Sequence, residues 1–230
     1  AQGQIAGNGP AVSFDSNGLP AGTYTATGHV DDGQGGTADC SVALQVETAA
    51  QAPAELEAAL QLHSIYFPTA QPGVQAPDGG LVPSQAAILT TLAADFRAYL
   101  AIHPDAQLRL EGHADERASQ DYNQALAERR VASSKRFLVG LGVPAGSLQT
   151  HSFGEHEGLD EAQVRQQMQD NPDLTPEQRQ ALLANLPSII LAQNRRVDIV
   201  LVESGQSSER RYPFNAKDAL TLLSDTALKP

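Results

Sequence analysis

Hydrophobic and polar positions alternate with a period of two over residues 38–46, where Ala38, Cys40, Val42, Leu44 and Val46 interleave with Asp39, Ser41, Ala43 and Gln45. In an extended chain that spacing makes one face of a strand apolar. The stretch "TYTATGHV" reads as a partner strand, joined to it through the turn-rich "DDGQGGT" as a hairpin. Two or three strands cannot bury such a face alone. Residues 11–47 therefore either pack on the rest of the chain or form the end of a β-sandwich. "ETAAQAPAELEAA" follows, Ala- and Pro-rich, and reads as a linker with a short helix at its end.

Beyond the linker the pattern changes. "LHSIYFPT" predicts a short strand, followed by a Pro/Gly loop to Gly80. From Pro83 the spacing of Ile88, Leu92, Phe96 and Leu100 is that of an amphipathic helix, with Pro83 suited to its first turn. "AQLRLEGH" predicts the next strand, residues 122–141 a second helix, "LQTHSFGE" a third strand and "RRVDIVLVE" a fourth, with Val197, Ile199 and Leu201 on one face. The order βαβαββ implies an α+β domain, a small mixed sheet with helices on one face. An insertion over about 158–193 interrupts the last two strands and predicts two helices; the second opens at "TPEQ", where Thr175 caps, Pro176 takes the first position and Gln178 closes a capping box. After Glu203 the tail is polar, then "YPFNAKDALTLLSD" predicts a short helix docking back by Tyr212, Phe214, Leu220 and Leu223. The expected layout is a β region at 1–47, a linker at 48–61, the α+β domain at 62–203 and a tail at 204–230.

Composition narrows the function. The 230 residues are 41% hydrophobic, enough for a substantial core and a smaller partner, and no apolar run approaches the roughly 20 residues that span a bilayer. The first residues lack the basic and apolar regions of a signal peptide. A net charge of -12 argues against nucleic acid and anionic membrane as partners. One cysteine, Cys40, allows no internal disulfide and no cysteine zinc site.

The densest chemistry lies in "GHADERASQDYNQALAERR", residues 112–130, with seven charged side chains and a histidine. Gly112 ends a strand, 114–121 reads as a loop, and Asn123 reads as opening the helix. At 100° per residue Asn123, Ala127, Arg130 and Ser134 fall nearly in line, with Arg130 about 10 Å along the same face. Helical side chains lean toward the N-terminus, so the Arg130 guanidinium and the unpaired N–H groups of the first turn can converge on a carboxylate. Asp115 supplies the opposite charge, and the pair suits a zwitterionic amino-acid head. The alternative is that Asp115 and Arg130 pair with each other, or with Glu116, Arg117, Glu128 and Arg129 as solvated ion pairs of little worth.

That segment, together with "SFGE" and "NRRVDIVL", resembles the OmpA-like peptidoglycan-binding domain over about residues 62–203. The resemblance implies the βαβαββ-type sheet already read. It also implies non-catalytic binding of peptidoglycan through the meso-diaminopimelate residue of the stem peptide, clamped by Asp115 and Arg130 with Asn123 lining the helix N-terminus. Ala114, Ala127 and Val131 depart from the usual threonine, serine and alanine, and Thr69 is a further candidate. A periplasmic location, with outer-membrane association through regions not in this chain, follows from the resemblance alone. "GLPAGTYTATGHVDDGQGGTADCSVALQV" resembles the closing strands of bacterial immunoglobulin-like repeats, which implies a partial sandwich at 1–47.

Other chemistries find less support. His113, Asp115, His151 and His156 as metal ligands lack a third ligand at a recognisable spacing. There is no G-x-S-x-G elbow, and Cys40 has no basic neighbour on its strand. The sequence points to no enzyme, no cofactor and no metal. "DDGQGG" lacks the oxygen set of a calcium loop and reads as a turn. Asn194, Arg195 and Arg196 read as ties between the last strand and the loops. The competing function is an adhesion or envelope-assembly module whose β region carries the interaction.

Overall fold

The structure, a computed structural model, describes residues 4–6, 13–15, 19, 20, 22–46, 60–211 and 216–225. It divides into two compact units, residues 1–53 and 54–230. The expected linker with its short helix lies almost wholly outside the described residues, as do Tyr212 and Phe214.

In the first unit, β1 (Gln4–Ala6) pairs antiparallel with β2 (Ser13–Asp15), and β3 (Gly22–Asp31) with β4 (Thr37–Val46). The register sets Tyr24 opposite Leu44, Ala26 opposite Val42 and Val30 opposite Ala38, so the period-two pattern does produce one apolar face on the hairpin. Val30 and Val42 are exposed. The loop closes through its aspartates: Asp31 accepts from Gly33 N–H, and Asp32 from Gln34 and Gly36 N–H, at 2.8–2.9 Å. These carboxylates satisfy backbone donors, as Asx turns do, and Gly33 and Gly35 provide the positive φ the turn needs.

The second unit is the expected α+β fold. A four-stranded mixed sheet runs in the order β5 (Ile65–Tyr66), β8 (Arg196–Leu201), β6 (Leu108–His113), β7 (Leu148–Gly154), parallel only between β6 and β7. Helix α1 (Pro83–Leu100) buries Leu89, Leu92, Ala93, Phe96 and Tyr99, a stripe one position displaced at both ends from the expected Ile88 and Leu100. Gln85 belongs to the same stripe because its Oε1 accepts the Tyr66 N–H, which would otherwise be unpaired on the edge strand. Helix α2 (Gln120–Gly140) turns Leu126, Ala127, Val131 and Leu138 inward and packs on β6, β7 and β8.

Strand β8 is buried on both faces. Val197, Ile199 and Leu201 form the apolar face, as their spacing implied. On the other face Asp198 receives Ser64 Oγ at 2.5 Å, Arg196 Nε at 2.9 Å and Arg210 Nη2 at 3.0 Å. A buried carboxylate persists only when it is paired and hydrogen-bonded in this way.

The insertion holds three helices where two were expected: α3 (Glu161–Asp170), α4 (Pro176–Leu183) and α5 (Leu186–Asn194). The break before α5 follows from Pro187, which lacks an N–H and clashes with the preceding turn. The capping box at Thr175 and Gln178 is present, and a second at Asp160 and Gln163 opens α3. Leu159, Val164, Met168, Leu186 and Ile189 make a local core against which Leu223 packs. Leu223 belongs to the C-terminal helix α6 (Ala219–Leu223), whose anchor is Leu222, buried beside Tyr66 and Ala192. Leu220, expected to dock, is 80% exposed because a helix that buries 219 and 222 and half-buries 223 turns position 220 outward.

One contact controls how closely α2 lies on the sheet. A Cβ on Gly112 would fall 2.5 Å from Val131 Cγ2 and 2.6 Å from the Ala127 carbonyl oxygen. Backbone cannot yield there without displacing the helix. Gly112→Ala is expected to destabilise the chain by about 1–3 kcal/mol, the range for overpacked cores, read as a lower urea midpoint at unchanged slope; a parent-like midpoint would contradict the close approach.

Candidate functional site

The segment 112–130 bends sharply after β6. Helix α2 begins three residues earlier than Asn123, because Ser119 caps it by accepting the Tyr122 N–H at 3.4 Å. Asn123 thus sits in the first turn proper with its own N–H bonded to the Ser119 carbonyl at 2.9 Å. Its amide nitrogen donates to Glu155 Oε2 at 2.5 Å and to the Ala118 carbonyl at 3.2 Å. The helix start offers fewer unpaired donors than the sequence suggested. Glu155 ends the "SFGE" motif, so that motif and the opening segment meet physically at Asn123.

Asp115 and Asn123 line a cavity of about 350 Å³ together with Thr69, Ala70, Arg117 and Tyr122. A wider cleft of about 500 Å³ lies along α2 and β7 between Glu128, Lys135 and His151, and includes none of the predicted site residues. The carboxylate of Asp115 is held by Arg117 on both oxygens, Nε to Oδ1 at 3.0 Å and Nη2 to Oδ2 at 2.9 Å. Arg195 Nη1 lies 3.6 Å from the same Oδ2. Burial alone would raise the Asp115 pKa, but the hydrogen bonds and charge of Arg117, with Arg195 behind, hold it below its ordinary value. The same hydrogen bonds raise Arg117.

Arg130 is fully buried. Its Nε donates to the Gln71 carbonyl at 2.9 Å and Nη1 to the His113 carbonyl at 2.8 Å, while the guanidinium carbon stands 5.6 Å from the centre of the Phe67 ring. Its Nη2 has no hydrogen-bond partner among the described residues. Burial and the neighbouring Arg195 lower its pKa to about 9, with Asp115 opposing, so it stays charged at neutral pH. The loop that supplies Gln71 passes through Ala70 at a φ of 59°, a left-handed conformation rare for a residue with a Cβ. Asp115 and Arg130 interact through space and do not hydrogen-bond each other. The structure brings Asp115, Asn123 and Thr69 to the cavity and keeps Arg130 behind it.

Three contributors to this site lie outside the site residues that the sequence predicts. The sequence offers Arg117 only as a partner in solvated ion pairs. Arg195 ties β8 to the C-terminal segment through the Leu222 and Ser224 carbonyls and to Phe67 O at 3.1 Å. The C-terminal segment delivers Asp225, whose carbonyl accepts Arg117 Nη1 at 3.0 Å, and Ser224, whose carbonyl accepts Thr69 Oγ1 at 2.7 Å. Arg117 follows Asp115 by two residues, the spacing of an Asx-type contact, and that was the one signal available.

Among the described residues no three His, Cys, Asp or Glu side chains converge as a metal site requires, so His113, Asp115, His151 and His156 do not form one. His113 stacks on Phe153 at 5.2 Å and points Nε2 toward Asp198 Oδ2 at 3.6 Å. Asn194 ties the insertion to β8 through two hydrogen bonds with the Leu159 backbone.

Residues 80–172 match the OmpA family. The peptidoglycan-associated lipoprotein of Haemophilus influenzae is 46% identical over 69 residues, covering 28% of this chain and 45% of that protein. That of Rhizobium meliloti is 42% identical over 59 residues, covering 26% and 34%. The chain thus spans less than half the length of either relative. Among solved structures, the peptidoglycan-associated lipoprotein from Burkholderia pseudomallei aligns with a TM-score of 0.38 and 24% identity over 60% of this chain and 89% of that one.

Burial, then Arg196, push His113 down to about 4 from 6.5, against the pull of Asp198. The unfolded chain therefore takes up this proton first. Stability is expected to be intact above about pH 6.5 and to fall between there and pH 4, His113 supplying up to about 1.4 kcal/mol per pH unit. Urea unfolding of the parent and a His113→Asn variant across this range checks it: the variant should show the shallower slope, and equal slopes would contradict a buried neutral histidine.

Proposed function

With an OmpA family domain at residues 80–172, we propose that this chain binds peptidoglycan without turnover, through the diaminopimelate residue of the stem peptide. Asp115 takes the ammonium group of the diaminopimelate head. Arg130, through the Nη2 that no carbonyl occupies, attracts the carboxylate, and Asn123 shapes the wall between them. The observation that carries this reading is a carboxylate held ionised on the cavity wall, with a buried cation that keeps an unused donor acting on it through space from behind. A buried donor left unpaired costs free energy that a ligand carboxylate would recover.

The peptidoglycan-associated lipoproteins that resemble this chain support the same ligand class. A binding domain of this kind anchors an envelope protein to the wall from the periplasmic side, with any outer-membrane link made elsewhere in the protein. Single contacts need not be tight, because the sacculus is one polymer and many attachments add by avidity.

Exposed Val30 and Val42 favour a second reading, in which the β unit carries an envelope contact of its own.

Cosedimentation with purified sacculi tests the first. Asp115→Ala and Arg130→Ala should each lose binding about tenfold or more, the size expected for hydrogen bonds to charged groups. Asp115→Asn, close in shape to the parent, guards against a variant that fails only by unfolding. Parent-like retention of the Asp115 variants would remove the clamp and move the function to the β unit.

A further inference from the structure

We propose that Arg117 is itself a ligand-binding residue: the ligand head inserts between Arg117 and Asp115, its ammonium taking Asp115 and its carboxylate taking Arg117. The inference rests on the reading of a zwitterionic head at Asp115 and assigns that head a second, exposed receptor.

Arg117 and Asp115 both line the cavity, whereas Arg130 does not. Two nitrogens of Arg130 are fixed on carbonyls and only Nη2 remains, so Arg130 cannot grip a carboxylate with a full fork. The Arg117 side chain is 32% exposed and can shift without disturbing the core.

Arg117 holds Asp115 with its Nε and Nη2 edge, the bidentate edge that suits a carboxylate. Its Nη1 is anchored separately on the Asp225 carbonyl at 3.0 Å, with the Asp225 carboxylate 3.7 Å away. Thr69 Oγ1, 3.2 Å from Nη2, adds a further tether. When the ligand separates the pair, the edge that faced Asp115 is the one set free, and the anchor on the C-terminal segment keeps it at the cavity rim.

Charge then selects the ligand. Arg117, Arg130 and Arg195 act on Asp115, and the Asp225 carboxylate lies 3.7 Å from Arg117. The guanidinium groups acting on Asp115 make its surroundings cationic. A simple amine would add a further positive charge. A zwitterionic head adds none and exchanges one ion pair for two, so the site discriminates diaminopimelate from lysine at the same place in a stem peptide.

The test is titration calorimetry of the full 230-residue chain with two disaccharide tetrapeptides, one carrying meso-diaminopimelate and one L-lysine. The parent should bind the first about tenfold or more tightly than the second. Arg117→Ala should lose that factor on the diaminopimelate ligand and cease to separate the two, with its melting temperature near the parent's. Arg117→Lys should recover part of the affinity, since it restores charge without the fork. If Arg117→Ala binds the diaminopimelate ligand as well as the parent, or better, Arg117 is only an internal counter-ion and the proposal falls while the wall-binding reading stands. If the parent binds neither ligand, both fall.

Discussion

Three guanidinium groups, those of Arg130, Arg195 and Arg196, are buried at one end of the sheet with no more than 1% exposure. A guanidinium keeps its charge in a folded protein, and an unpaired buried charge is among the costliest features a fold can carry. The surroundings are arranged to prevent that. Arg130 draws the carbonyls of Gln71 and His113 toward it, Arg195 those of Phe67, Leu222 and Ser224, and Arg196 the side chains of Asn194 and Asp198. The loop after β5, the end of β6, the start of β8 and the C-terminal segment are therefore fixed by the same three cations. Asp115 sits where two of their fields overlap.

This arrangement explains why the site is both rigid and charged. Its carboxylate is kept ionised by neighbours that would remain if a ligand displaced Arg117, because Arg195 and Arg130 are locked by backbone acceptors and not by Asp115 alone. Such preorganisation reduces what binding must spend on ordering side chains. The helical insertion and the C-terminal helix share in it: Leu223 packs on the insertion's core, Ser188 Oγ bonds Asp225 at 2.6 Å, and Asp225 holds Arg117. An insertion that looks decorative in sequence is thus linked to the cavity through two side chains.

Much of the fold was legible because its elements bury strongly periodic faces. The alternation in β4 and β8, the helical spacing after Pro83 and the capping box at Thr175 all correspond to observed structure. Less visible were features decided by neighbours distant in sequence. Nothing local reveals that Leu222, and not Leu220, anchors the last helix, since both are leucines within one short turn. Ser119 as the cap of α2 was readable, a hydroxyl directly before a helical run, and reading it would have moved Asn123 inside the helix. Pro187 likewise marked the break that made three helices of two. The full burial of Arg130 was not readable, because one of its two acceptors, the Gln71 carbonyl, lies in a loop 59 positions earlier whose bend at Ala70 no pattern announces. Asp115 could be placed by its motif, but Arg117, its partner, is held from the other side by the Asp225 carbonyl of the distant C-terminal segment.

The most direct test of the account is a two-dimensional NMR titration of the full chain with a stem tripeptide carrying meso-diaminopimelate, against the same tripeptide carrying L-lysine. The account predicts backbone and arginine Nε–H shifts concentrated at Asp115, Arg117, Asn123 and Arg130 for the first peptide alone. No shifts at millimolar peptide, or the same shifts with both, would contradict a zwitterion-binding site at Asp115.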